Sequence, residues 1–197
     1  KPYKVNGAPA VYYITPDCKK QPIRDANVFF SHFESFNQVR VAGRSTIARI
    51  PDHPLRFLPW GPRREVPNGS LVKTVDNPKV YLVIDGGANP IGSEQIFLEL
   101  GLKSEWIEDV APSVIEKLAV KPEITGVGNF PASLVFKYPF SPAVYTLEKR
   151  TDGAIEKKQI STIEEVKSKY RLDRLPVLPE VVSFPDAVPS AVAVTPA

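Results

Sequence analysis

One short pattern of apolar and polar positions occurs three times along the chain: a proline, any residue, then Val-Tyr. The copies are residues 9–12, 78–81 and 142–145, so that they begin 69 and 64 residues apart. Self-similarity at a nearly fixed period indicates one supersecondary unit repeated in tandem. Each copy leads through a polar turn to an isoleucine, followed two residues later by a side chain that can cap a helix: Ile23 with Asp25, Ile91 with Ser93, and Ile160 with Thr162.

The residues that follow each copy predict a hairpin and then a helix. In the second copy, Asp85-Gly86-Gly87 is typical of a tight turn between two strands. In the first copy, Phe29, Phe33 and Phe36 recur at helical spacing and predict an aromatic helix face that packs on a sheet. One apolar sheet face covered by a helix is an α+β arrangement. We therefore expect an α+β fold of three tandem repeats, each a small antiparallel β-meander packed by a short helix.

Proline spacing and composition suggest where the repeats begin and end. The stretch around Trp60 has four prolines in sixteen residues, at positions 54, 59, 62 and 67. Proline fixes φ and removes a donor, so this stretch is predicted to be a stiff, extended connector. The predicted organisation is repeat module 1 at 1–55, the connector at 56–67, module 2 at 68–125, module 3 at 126–185, and an extended Ala/Val/Pro tail at 186–197.

Composition narrows the classes of function. The net charge of +3 is spread along the chain without a concentrated basic face, so no nucleic-acid partner is expected. No apolar run has the length of a transmembrane helix, so no membrane span is expected. The chain has no methionine and starts at Lys1, which favours a cleaved leader and a location outside the cell or at its surface.

Candidate chemistry is sparse. A single cysteine excludes an intrachain disulfide, and no Cys-x-x-Cys metal spacing exists. Cys18 with His32 or His53 could form a nucleophile–base pair, but neither histidine has a counterpart in the other copies. An enzyme with this Cys/His site is therefore the outsider among the functions considered, and the chain is predicted to have no catalytic residues, no metal and no cofactor.

Several aromatic and turn residues could have a binding role, and each also has a simpler structural explanation. The repeated tyrosines Tyr12, Tyr81 and Tyr145 could stack on sugar rings, although a place in the core or between strands explains a fixed strand position better. Trp60 on the connector is the stronger single candidate for a contact site, or it pins the connector. Asn68-Gly69-Ser70 fits an N-glycosylation acceptor, but a plain turn is the more economical interpretation.

The tail is the main candidate for assembly. Residues 185–197 carry one charge and few large side chains, so they cannot build a core of their own. An extended arm can satisfy its backbone along an exposed sheet edge, and Val188, Val192 and Val194 would supply small apolar contacts. Docking on another copy would give a homo-oligomer or polymer, and docking within the chain is the alternative.

The stretch SLVKTVDNPKVYLVIDGGANPIGSEQIF resembles the tandem modules of secreted surface proteins, including S-layer-like proteins of candidate-phyla bacteria. The shared pattern is a Leu-Val-Lys strand, a Pro-x-Val-Tyr strand, a hairpin, an isoleucine and a capped helix with an aromatic residue. Here it is matched by residues 71–73 and 78–81, Ile91, Ser93 and Phe97. The resemblance implies a structural role at the cell surface or outside the cell, and it supplies no catalytic residues. A module that binds cell-wall or host glycans is the alternative.

Overall fold

The structure, a computed structural model, describes residues 1–171 and 174–187 and has an α+β fold of small sheets and short helices. Contacts divide the chain into two compact units. The first comprises residues 1–66, 73–78 and 108–118, and the second comprises residues 67–72, 79–107 and everything from 119 onward that is described.

The first sheet has four strands in the order β3-β2-β1-β4. β1 pairs antiparallel with β2 and parallel with β4, and β2 pairs antiparallel with β3. The strands are β1 (Pro2–Val5), β2 (Val11–Ile14), β3 (Lys20–Pro22) and β4 (Arg40–Ala42). The helices of this part are α1 (Ala26–Phe30), a 3-10 turn (Phe36–Gln38) and α2 (Arg44–Arg49).

The second sheet has five strands in the order β8-β5-β6-β7-β9. Its strands are β5 (Leu71–Thr74), β6 (Tyr81–Ile84), β7 (Gly87–Pro90), β8 (Ile107–Val110) and β9 (Ala119–Val120). The helices along this stretch are α3 (Glu94–Glu99), a 3-10 turn (Ser104–Trp106) and α4 (Pro112–Lys117). The order strand, strand, strand, helix, 3-10 turn, strand, helix is thus the same from β1 to α2 and from β5 to α4.

The third sheet has three antiparallel strands in the order β10-β11-β12. They are β10 (Val135–Lys137), β11 (Val144–Lys149) and β12 (Ile155–Gln159), and α5 (Ile163–Lys169) follows them. A 3-10 turn, Val127–Asn129, precedes the sheet.

In the first unit, α1 is shorter than the phenylalanine spacing predicts. Asp25 caps it as expected, accepting from two backbone amides, but the helix stops at Phe30. The buried Ser31 follows, where its hydroxyl donates to the Val28 carbonyl and accepts from the Gly61 amide. The three rings therefore do not form the predicted single helix face, but they still meet: the Phe29 ring lies 5.0 Å from that of Phe33 and 4.5 Å from that of Phe36.

The second unit contains one apolar core that serves both the second and the third predicted module. Leu82 and Leu100 from residues 68–125 are fully buried in the same cluster as Phe136 and Leu147 from residues 126–185. Modules of about 60 residues bury a small enough share of their surface to be only marginally stable alone, which is a physical reason for sharing a core. No helix in the described part of the chain is long and apolar enough to cross a bilayer.

Candidate functional site

The outer side of β4 is the candidate site, and the chain builds it with local signals. A capping box between Ser35 and Gln38 opens the 3-10 turn, and the C-cap Val39, at φ −75° and ψ 121°, is already extended where the chain leaves it. β4 then runs parallel to β1, with Val41 opposite Lys4. Gly43 ends the strand as the N-cap of α2, at φ −65° and ψ 145°. We call the outward backbone groups at this strand, the Val41 carbonyl and the Gly43 amide, the β4 edge.

β8 shows what the equivalent groups do when a strand covers them. Ala111 is the N-cap of α4 at φ −64° and ψ 145°, so it corresponds to Gly43, and Asp109 corresponds to Val41. Trp60 lies parallel to β8 at Val110. Its amide donates to the Asp109 carbonyl and its carbonyl accepts from the Ala111 amide, both at 3.0 Å. One connector residue therefore satisfies both outward groups of β8.

The β4 edge differs from β8 in exposure. Asp109 and Ala111 are both half-buried, whereas their equivalents Val41, at 59%, and Gly43 are exposed. Within residues 1–171 and 174–187, the backbone bonds outside regular elements include none to the Val41 carbonyl or the Gly43 amide. An open row of backbone donors and acceptors is a template for pairing with a further strand.

Trp60 is placed differently from the sequence expectation of an exposed contact. Its side chain is only 4% exposed, and its indole Nε1–H donates to the Arg64 carbonyl at 3.2 Å. These contacts agree with the alternative in which Trp60 pins the connector. Its role as an assembly contact between copies stays a prediction.

The other predicted assembly contacts, Val188, Val192 and Val194, lie outside the described residues. The sequence identified the tail as a candidate but missed its complement, the β4 edge. The available signal was the matching order of elements in the first two copies, which makes Gly43 and Ala111 equivalent N-caps.

The contacts of Cys18, His32 and His53 give no support to the hypothesis of a catalytic Cys/His pair. Cys18 is exposed in a turn at φ 57°. His32 Nε2 lies 2.7 Å from the Pro59 carbonyl, and His53 Nδ1 accepts from the Leu55 amide at 3.1 Å. Both imidazoles thus bond to nearby backbone groups. Among the described residues, no group of three His, Cys, Asp or Glu side chains could hold a metal ion.

Asn68 takes part in a turn-to-turn contact. Its side-chain amide donates to Asp85 Oδ1 at 3.2 Å, and its Oδ1 accepts from the Asp85 amide at 2.9 Å. Both ends of the Asn68 side chain therefore bind the hairpin turn at Asp85-Gly86. This structural role fits the plain-turn interpretation of Asn68-Gly69-Ser70.

An open cleft of about 580 Å³ lies in the second unit. Ile84, Phe130 and Ile155 contribute apolar lining, while Lys121 and Lys149 contribute cationic side chains. Asp85 also lines the cleft, so charges of both signs face it.

No model of a known protein family matches the chain, and a comparison with curated proteins finds no match. Among solved structures, 99% of the chain aligns with 61% of a chain in the periplasmic assembly of the ESX-5 inner membrane complex, at 12% identity and a TM-score of 0.24. It likewise aligns over 99% of its length with 53% of a chain in an intact ESX-5 inner membrane complex, at 14% identity and a TM-score of 0.23. The chain thus spans less than two thirds of those chains, and at these TM-scores the likeness carries no argument about fold or function.

Proposed function

We propose that the chain is a non-catalytic structural protein of the cell surface or extracellular space, built from three tandem modules, which assembles with further copies through its sheet edges. The observation that carries the proposal is the contrast between β8, whose outward groups are satisfied by Trp60, and the equivalent β4 edge, which is exposed.

Backbone hydrogen bonds at the repeated Pro-x-Val-Tyr pattern support the tandem modules. The isoleucine after each pattern donates its amide to the carbonyl of the residue preceding the tyrosine. The three bonds are Ile23 to Val11 at 2.9 Å, Ile91 to Val80 at 3.0 Å, and Ile160 to Val144 at 2.9 Å. The same long-range bond in all three copies is expected from one folding unit repeated, and not from three unrelated hairpins.

A second contact that recurs supports the equivalence of the first and third modules. Lys20 pairs with Asp52 at 3.2 Å, and Lys157 pairs with Asp186 at 2.9 Å. Each lysine also donates from Nζ to a backbone carbonyl two residues before its aspartate. In each case the aspartate lies parallel to the strand that holds the lysine. Each module would therefore end with a short parallel segment on its third strand.

Edge pairing explains why such modules would assemble. A strand with open backbone groups gains hydrogen bonds when another chain adds a strand, with no need for a large apolar patch. A contact between two different surfaces of the same chain does not close on itself unless a rotation closes it into a ring. Filaments or lattices are the natural products.

The experiment is sedimentation velocity of the full chain over a hundredfold range of concentration, together with electron microscopy of the most concentrated sample. We expect species that grow with concentration, seen by microscopy as fibres or sheets. A single sedimenting monomer over the whole range, with dispersed particles in the micrographs, would contradict the proposal.

Glycan binding is the second candidate, and the observation in its favour is Phe140. Its ring is fully exposed, at φ 59°, between Pro139 and Ser141. An exposed ring held in a left-handed turn can stack on a sugar face. Retention on peptidoglycan that soluble sugar blocks and Phe140→Ala removes would favour this function over assembly.

A further inference from the structure

We propose that the β4 edge receives the C-terminal segment of a second copy as an added parallel strand, in the register that Trp60 has on β8. This inference rests on the proposed self-assembly and goes further, because it identifies the two surfaces that meet and the residue that bridges them.

The register follows from the ends of the first and third modules. His53 donates its amide to the Lys20 carbonyl at 2.9 Å, and Ala187 donates its amide to the Lys157 carbonyl at 2.8 Å. The two lysines occupy equivalent positions, two residues before the partner of the repeated tyrosine. Ala187 therefore corresponds to His53.

Counting onward from these two residues identifies the bridging residue. Trp60 follows His53 by seven residues, and Val194 follows Ala187 by the same number. The chain beyond Ala187 is thus long enough to present a residue in the position of Trp60. The second module is a poorer template, because it has Ala119-Val120 where the other two modules have Pro-Asp.

The chemistry of docking copies the contact on β8. The Val194 amide would donate to the Val41 carbonyl of a second copy, as the Trp60 amide donates to Asp109. The Val194 carbonyl would accept from the Gly43 amide, as that of Trp60 accepts from Ala111. The valine side chain could cover part of the exposed surface of Val41. Because the donor segment and the β4 edge are at opposite ends of the chain sequence, each added copy brings a new free edge.

Gly43 allows one half of this contact to be removed with little effect on the fold. Its φ of −65° is the value that proline requires, and proline deletes the amide hydrogen that docking needs. The preceding residue, Ala42, is in a strand, which is the conformation favoured before proline. Gly43→Ala is the matched control, since it retains the amide and its Cβ would lie an ordinary 3.6 Å from Thr46 Oγ1.

Val194 allows the other half to be removed from the same full-length chain. Val194→Pro deletes the amide that would donate to Val41, and Val194→Ala is its matched control. We expect each proline variant to need about tenfold or more higher concentration to associate, measured by sedimentation velocity, because a backbone carbonyl, that of Val41 or of Val194, would be buried without its donor. Both alanine variants should associate within about threefold of the unaltered chain, because they retain the amide that donates.

Mixing the two proline variants is the decisive arm of the experiment. Gly43→Pro retains an intact tail and Val194→Pro an intact β4 edge, so an equimolar mixture should form a dimer that cannot grow further. Dimers in the mixture, with monomers in each variant alone, would support the inference.

If both proline variants associate as the unaltered chain does, the inference is wrong but self-assembly stands. If the unaltered chain stays monomeric at every concentration, both are wrong. Circular dichroism checks the fold of Gly43→Pro, and should it fail to fold, the Val194→Pro and Val194→Ala pair decides the result.

Discussion

Gly69 provides the sharpest test of how the second unit is packed. It has φ +82°, a conformation that residues with a Cβ rarely adopt. A Cβ added there would lie 2.3 Å from Tyr170 Cε1 and 2.7 Å from Tyr170 Cδ1. The tyrosine cannot easily move away, because it is 6% exposed and its amide donates to the Val166 carbonyl at 2.8 Å. Gly69→Ala must therefore strain both the backbone and the packing.

Gly86 separates these two effects. It also has a positive φ, +67°, but nothing lies within 4 Å of an added Cβ. Gly86→Ala should thus reduce the free energy of unfolding by the conformational cost alone, about 1–2 kcal/mol. Gly69→Ala adds an overpacking cost of about 1–3 kcal/mol, for a total of about 2–5 kcal/mol. Domains are stable by only about 5–15 kcal/mol, so the larger loss is a substantial part of the total.

The assay is urea denaturation monitored by the fluorescence of Trp106, which lies in the same unit as both glycines. Trp60 lies in the first unit, so Trp60→Phe is introduced into every variant to remove its signal. Equal midpoints and slopes for Gly69→Ala and Gly86→Ala would refute the close packing against Tyr170. Tyr170→Ala should also reduce the free energy of unfolding less in the Gly69→Ala background than in the chain that retains Gly69, because it removes the ring that clashes with the added Cβ.

Three further outcomes can be measured on single variants. Lys157→Met should lower the free energy of unfolding by about 1–3 kcal/mol, because it leaves the Phe184 carbonyl without its charged donor. Lys158→Met is the control: Lys158 belongs to an exposed ion pair at 3.0 Å, so its loss should change the free energy by less than about 1 kcal/mol in the same urea titration. Tyr170→Phe should raise the thermal midpoint, because the buried Tyr170 hydroxyl has no hydrogen-bond partner in the described chain; a drop would show that the nearby Val135 backbone bonds to it. The hydroxyl of the threonine two residues earlier, and then the lysine two residues later, lower the pKa of Asp17 from 3.8 to about 2, so its stabilising contribution is present above pH 4 and is lost as the pH falls towards 2. Asp17→Asn should therefore flatten the pH dependence of the urea midpoint in that window, and an unchanged slope would contradict the assignment.

The hairpins and helix starts could be predicted because their causes are local. The Val-Tyr of the first copy begins the strand Val11–Ile14, which pairs antiparallel with β3 as the predicted hairpin. Asp25 and Ser93 cap α1 and α3 through side-chain hydrogen bonds, as their positions predicted. Thr162 is the exception: it is the N-cap of α5, but its side chain makes no capping hydrogen bond.

The long-range strand pairings could not be predicted, because they join segments far apart in sequence. β1 pairs with β4 across more than thirty residues, and β8 lies beside β5 at a similar separation. A short strand such as Arg40–Ala42 is partly exposed and has no period that distinguishes it from a loop. The position of Trp60 could not be predicted for the same reason. A proline-rich stretch predicts an extended conformation, but the strand with which Trp60 pairs is fifty residues away in sequence.

The module ends indicate what the three copies have in common. The first and third close their third strand with a lysine and an aspartate, whereas the second has Ala88, fully buried, paired with Val120 on β9. The side chains differ, yet in each copy an amide from the closing segment donates to the third strand at 2.8–3.0 Å. In the proposed modules the backbone pairing is thus the shared feature, and the side chains that stabilise it differ from copy to copy. An edge defined by backbone groups can accept any segment that is extended and small enough. This is why a tail of alanine and valine can be proposed as a substitute for a connector that carries tryptophan.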